Sequence, residues 1–204
     1  KVLVKFYKLV WLVFGMDLKS AVEERVNFDR FDLKAPSWKK VVRAIDYARF
    51  APSVGGIFAA RFIVVQDEKT IGRLADAAQQ SFIAKAKCCV VVVSDDDGLV
   101  RSYGEKGDLY GRRHVGAAVE NFLLGLEEQK LVTSWIWYFA DEVVRDILRI
   151  PGSVKVEGIF PIGVKPKSGN LKARRVEMLD KILYFGEYGN KKMVGMVKHS
   201  RDAV

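Results

Sequence analysis

Cysteine is nearly absent: the chain has two in 204 residues, and they are adjacent, Cys88-Cys89. A ring closed between neighbouring cysteines is strained, and two thiols provide none of the spacings used by zinc sites. A disulfide framework and a cysteine-based metal site are therefore excluded, and a reducing, cytoplasmic setting is expected. Histidine is equally scarce, with His114 and His199 too far apart in sequence to suggest a metal pair. No repeat or low-complexity tract interrupts the chain. No apolar run reaches the roughly 20 residues of a membrane helix. The formal charge is +9, yet Lys and Arg alternate with Asp and Glu through most of the chain. In the absence of an arginine-rich tract or an aromatic–basic pattern, small anions such as phosphates remain admissible partners and nucleic acid is not expected.

What is present is a hydrophobic content of 50%, enough to bury a full core in one domain or a merged pair of lobes. The first residues are unusual: Val2 to Phe14 is apolar apart from Lys5 and Lys8. The run is too short to span a bilayer and lacks a small-x-small cleavage site. We read residues 1–15 as an apolar N-terminal extension that covers apolar surface, on a partner subunit, without stable membrane insertion. Residues 16–190 then form the domain, and 191–204 form a basic C-terminal tail.

Helix and strand patterns alternate irregularly along the chain, which predicts an α+β fold. Asp17 caps a short helix running to Val26, and Ser37 opens a helix ending near Phe50. A strand over 61–66 leads to Asp67, which caps a helix with Ile71, Leu74, Ala75 and Ala78 on one side. Ala86 to Ser94 is a buried strand in which the two cysteines point to opposite faces. The triplet Asp95-Asp96-Asp97 suits a solvated loop or cap better than a metal. Residues 98–113 read as a surface loop near an entrance, and Val115 to Leu131 as the longest helix. Ser134 to Phe139 reads as a strand, Asp141 caps the next helix, and Gly158 to Val164 is another strand. A basic segment from Lys165 to Arg175 precedes a helix from Val176 to about Leu183.

The most informative stretch is Ala51-Pro52-Ser53-Val54-Gly55-Gly56 before the apolar strand Arg61-Phe62-Ile63-Val64-Val65. Pro52 stops the preceding helix, and the paired glycines reach backbone angles closed to other residues. Such a loop can lay bare main chain against a flat ligand. A plain helix-to-strand turn uses the same residue types.

Taken in order, several segments resemble the FMN-dependent nitroreductase family over roughly residues 17–188. They are Arg25-x-Asn27, the Ala51-Pro52-Ser53 loop with its strand, and Gly116-Ala117-Ala118-x-Glu120-Asn121-x-Leu123-Leu124. Ser134-Trp135-Ile136, Ile150-Pro151, Pro161-Ile162-Gly163-x-x-Pro166 and Lys172-x-Arg174 complete the set. The resemblance implies a central mixed, mainly antiparallel sheet flanked by helices, in an intertwined homodimer with exchanged C-terminal arms. It also implies FMN as cofactor, NAD(P)H as transient reductant, and a nitroaromatic, quinone or similar small-molecule acceptor. On this basis Arg25, Asn27, Lys172 and Arg174 are expected at the phosphate. Pro52, Ser53, Val54, Gly55 and Gly56 are expected along the ring system, and Ile162 with Gly163 beside the ring or ribityl chain. No catalytic side chain is expected, because the cofactor carries the redox chemistry. Tyr103, Tyr110 and Arg112 are candidates for lining the entrance.

The chain also departs from the family pattern. Gly56 and Phe58 stand where the family commonly has an asparagine and a glutamine. Asp29 stands where a basic or otherwise compatible residue is usual, and at close range to a phosphate it would cost on the order of 1–4 kcal/mol. Ala60 replaces a tryptophan, and Lys130-Leu131-Val132 replaces a Gly-Leu-Gly. These departures motivate an alternative: a scaffold that binds flavin or another ligand without efficient reductase activity.

Overall fold

The computed structural model describes residues 16–166 and 174–193. They fall into two compact units divided between Leu171 and Lys172. In the first unit α1 (Leu18–Glu24) and α2 (Trp38–Ala48) precede β1 (Ala60–Val65). Then come α3 (Glu68–Ala77), β2 (Cys88–Ser94), α4 (Asp97–Tyr103) and α5 (Lys106–Glu128). β3 (Leu131–Val132), α6 (Asp141–Leu148) and β4 (Lys155–Val164) complete the unit. The strands form an open antiparallel sheet in the order β1-β2-β4-β3.

β2 is the centre of the molecule because every one of its residues is buried. Side chains alternate across a strand, so its run of apolar residues feeds two cores at once. Cys88, Val90 and Val92 join the core beneath α2 and α5, with Val41, Ala44, Phe122 and Leu126. Cys89, Val91 and Val93 join the core beneath α3 and α6, with Ile71, Leu74 and Val144. The expectation that the two cysteines face opposite ways is met, and both are free and buried.

Local capping accounts for the helix starts. The Asp17 side chain accepts from the amide of Ser20 at 3.0 Å, and Asp67 accepts from that of Thr70 at 2.8 Å. Asp141, by contrast, lies in the first turn of α6, whose cap position is Ala140.

Three sequence readings need correction. Residues 98–113 are helical, forming α4 and the first turns of α5, rather than a loop. Their polar residues face outward, while Leu99 is buried and Asp108 and Asp96 are both tied to Lys155 of β4. Tertiary anchoring here organises a segment with little apolar periodicity of its own. Second, Ser134 to Phe139 is not a strand. It runs beside β4 with an isolated bridge, Ile136 to Ile159, and Trp135 Nε1 donates to the Glu157 carbonyl at 3.2 Å. Third, the helix expected from Val176 shrinks to α7 (Leu179–Ile182) in the second unit. None of its residues is buried within the described chain, so nothing extends the turn.

The second unit, taken by itself, closes on local contacts. Asn190 and Phe185 exchange hydrogen bonds, and Lys191 Nζ lies 3.9 Å from the centre of the Tyr184 ring. Val176, Met178, Leu179, Ile182 and Tyr188 remain exposed.

Candidate functional site

The expected site residues of the first unit gather at two stations along α5, a 23-residue helix. The first station holds Arg25 and Asn27. Arg25 is the C-cap of α1 and its side chain is 21% exposed. Its Nε lies 3.7 Å from Oε1 of Glu120 on α5. The following residues are stitched to the chain around β3. Asn27 forms a parallel bridge with Thr133, and the amide of Phe28 donates to the Thr133 carbonyl at 3.0 Å. Ser134 Oγ donates to the Phe28 carbonyl at 2.7 Å.

The same segment then crosses the end of β4, where the amide of Asp32 donates to the Val164 carbonyl at 3.0 Å. Here Phe31 lies on Gly163 so closely that a Cβ at that position would stand 2.4 Å from the ring. Gly163 is thus required for the crossing, and its open side is taken by Phe31. Ile162 is fully buried in the core.

Charge at this station is mixed. Burial pushes the Glu127 carboxyl above the ordinary carboxylate range, against the opposing pull of Lys165 and Arg25. Lys165 itself lies 5.9 Å from the centre of the Phe28 ring.

The second station is the loop from Pro52 to Gly56. Val54–Gly56 form a single tight turn in which Gly55 and Gly56 have φ of 61° and 71°, angles that favour glycine. The Tyr103 hydroxyl of α4 sits where a Gly55 side chain would start, 2.4 Å from that point. Pro52 and Val54–Gly56 are exposed and Ser53 is half-buried, so main chain is presented to the outside. Beneath the loop, His114 of α5 donates from Nδ1 to the Pro52 carbonyl at 3.0 Å. Its ring also meets Phe58 edge-on at 4.3 Å. His114 and Glu120 are about 9 Å apart along the helix axis, so both stations hang from neighbouring turns.

Lys172 lies outside the described residues, and Arg174 belongs to the second unit, where it is exposed. Tyr103 and Tyr110 pack edge to face at 5.4 Å, and Arg112 pairs with Asp108 at 3.2 Å. The aspartate triplet is dispersed: Asp95 pairs with Arg61, Asp96 with Ser94 and Lys155, and Asp97 opens α4.

Sequence reasoning missed His114. A single histidine on a helix carries no motif, and only its place opposite Pro52 marks it. It also missed Trp137, which stacks on Trp135 at 4.0 Å and leaves an exposed aromatic shelf beside β4.

The Nitroreductase family model matches residues 78–164, from the end of α3 through β4. Over this stretch the chain is similar to the nitroreductase family. Among curated proteins this chain is 25% identical over 172 residues to the iodotyrosine deiodinase of Thermotoga neapolitana, covering 74% of this chain and 91% of that protein. Among solved structures, the FMN-dependent nitroreductase of Clostridium difficile R20291 superposes with a TM-score of 0.71 at 22% identity, over 84% of this chain and 100% of that one. A nitroreductase family protein of Streptococcus pneumoniae TIGR4 gives 0.72 at 20% identity, over 82% and 98%. At these identities the structural matches speak for a shared fold.

Proposed function

We propose that this protein is an FMN-dependent oxidoreductase, acting as a homodimer, that transfers hydride from NAD(P)H to a nitroaromatic, quinone or similar acceptor. The observation that carries the reading is the Pro52–Gly56 loop. It presents exposed main chain with two left-handed glycines and is held at His114 of α5, six residues before Glu120, the α5 residue that Arg25 meets. Bare amides suit a flat heteroaromatic ring, and a guanidinium suits a phosphate.

The residues present fit such a cofactor at these two stations. Arg25 and Asn27 would hold the phosphate, while Pro52 to Gly56 would border the ring. Ile162 is fully buried and Gly163 is covered by Phe31, so the place beside the ring or ribityl chain expected for them is not open among the described residues. Bound FMN would supply the two-electron redox chemistry, and the chain would supply orientation and exclusion of water.

The homodimer is supported by apolar surface around α1, the end of α2 and α5. A groove of about 510 Å³ is lined there by Leu18, Tyr47, Phe50 and Leu124, among others. Leu18 and Phe50 are 71% and 69% exposed beside it. A second copy would cover it, and the exposed apolar residues of 174–193 suit an exchanged arm.

A second reading is favoured by one observation. Arg25 already faces Glu120, and Phe31 covers Gly163, so the scaffold could bind flavin or another ligand without efficient turnover. The test is an absorption spectrum and thermal scan before and after FMN addition, followed by NADH and NADPH consumption with a nitroaromatic or quinone. Flavin bands, a raised Tm and acceptor-dependent consumption are expected. Flavin binding without consumption selects the second reading, and no binding by calorimetry overturns both.

A further inference from the structure

The loop at the second station is tied to its helix by a single directional bond among the described residues. Ile57 donates its amide back to Val54 at 3.1 Å, which shapes the turn but does not place it. Tyr103 under Gly55 and Ile57 against Gly98 are contacts of shape. The bond that locates the loop runs from His114 Nδ1 to the Pro52 carbonyl, at 3.0 Å. A carbonyl oxygen only accepts, so Nδ1 must carry the hydrogen. In the neutral ring Nε2 is then an acceptor, and it is buried with no hydrogen-bond partner among the described residues.

That combination is costly for stability. His114 is 3% exposed, and half of its polar character goes unmet. An apolar side chain of similar size would fill the space against Phe58 without the penalty. What a leucine would not do is hold the Pro52 carbonyl.

We propose that His114 is a positioning residue: its Nδ1–H sets where the main chain of residues 52–56 lies on α5, and thereby the affinity for a flat ligand on that loop. The ligand is FMN if the functional reading above holds, and the inference rests on that reading for the ligand only.

The test compares His114→Leu with His114→Asn, whose amide nitrogen occupies the place of Nδ1 and lacks a counterpart to Nε2. In the protein without added ligand, amide hydrogen exchange over residues 53–58 is expected to speed up in His114→Leu and stay near wild type in His114→Asn. The Tm of His114→Leu is expected to equal or exceed that of wild type. FMN titrated by fluorescence should bind about tenfold more weakly to His114→Leu, the scale of one lost hydrogen bond, and within about threefold of wild type to His114→Asn. Unchanged exchange in His114→Leu overturns the proposal, as does equal loosening by both variants or a fall in Tm of several degrees in His114→Leu. If wild type itself binds no FMN, the functional reading fails while the exchange result still decides the role of His114.

Discussion

The two ends of α5 both carry charged clusters, and they differ in kind. At the N-terminal end Lys155 of β4 reaches Asp96 at 3.0 Å and also pairs with Asp108, while Ser94 donates to Asp96. Cation and carboxylates alternate there, and the cluster joins the sheet to α4 and α5. Towards the C-terminal end Arg25 meets Glu120 at a looser 3.7 Å, and Glu127 is buried with its carboxyl pushed upward. One cluster ties three elements through short ion pairs and works as a latch, although burial raises the nearby Glu157 carboxyl as well. The other keeps charges in an unfavourable arrangement, a pattern that binding sites show more often than scaffolds do.

The strongest way to break this comparison is to open the latch. Lys155→Met leaves Asp96, whose side chain is 6% exposed, buried without its cation. We expect a loss of about 2–4 kcal/mol in denaturant-derived stability. A loss below 1 kcal/mol would make the two ends alike.

At the other end, Arg25→Gln should cost FMN affinity roughly ten- to a hundredfold, the value of a charged hydrogen bond, measured by fluorescence titration. Its effect on stability should stay below that of Lys155→Met, because the contact with Glu120 is long at 3.7 Å and Glu120 is half-exposed. Stability falling in place of affinity would turn this station into a second latch.

A smaller effect sharpens the contrast. Because burial raises the Glu127 carboxyl, the folded state keeps that proton to higher pH than the unfolded chain, whose ordinary value is 4.5. Stability from this group is therefore lost as pH rises above about 4.5. Glu127→Gln should raise Tm at pH 7 by about 1–3 °C, and the gain should vanish below pH 4.5. An unchanged or lowered Tm at pH 7 would show the charge to be well placed.

The smallest expected effect is none. Burial lifts the Cys88 thiol to about 11 and Cys89 higher still, so neither is a thiolate at neutral pH. Iodoacetamide should leave the native protein unmodified and label both thiols only after unfolding. Rapid native labelling would mean that the two cores around β2 open.

Much of the architecture was legible along the chain, and particular residues say why. The run from Cys88 to Ser94 is apolar at both parities, so it had to be a strand buried on two faces. Asp17 and Asp67 announced their helices through capping chemistry that acts over three residues. The 98–113 segment was not legible, because its helicity depends on Lys155 some fifty positions away. Ser134 to Phe139 misled for a related reason: its alternation is genuine, with Trp135 on Trp137, but side-chain and single-bridge contacts replaced the ladder.

The site divides along the same line. Which residues can turn left-handed at Gly55 and Gly56, and where a cation is available at Arg25, are properties of residue type and need no partner. Which of those features stand together is decided by α5, a long rod that carries His114 under Pro52 and Glu120 beside Arg25. Backbone preference acts between neighbours in the chain, whereas electrostatics and packing act between neighbours in space, and only folding makes the second kind known.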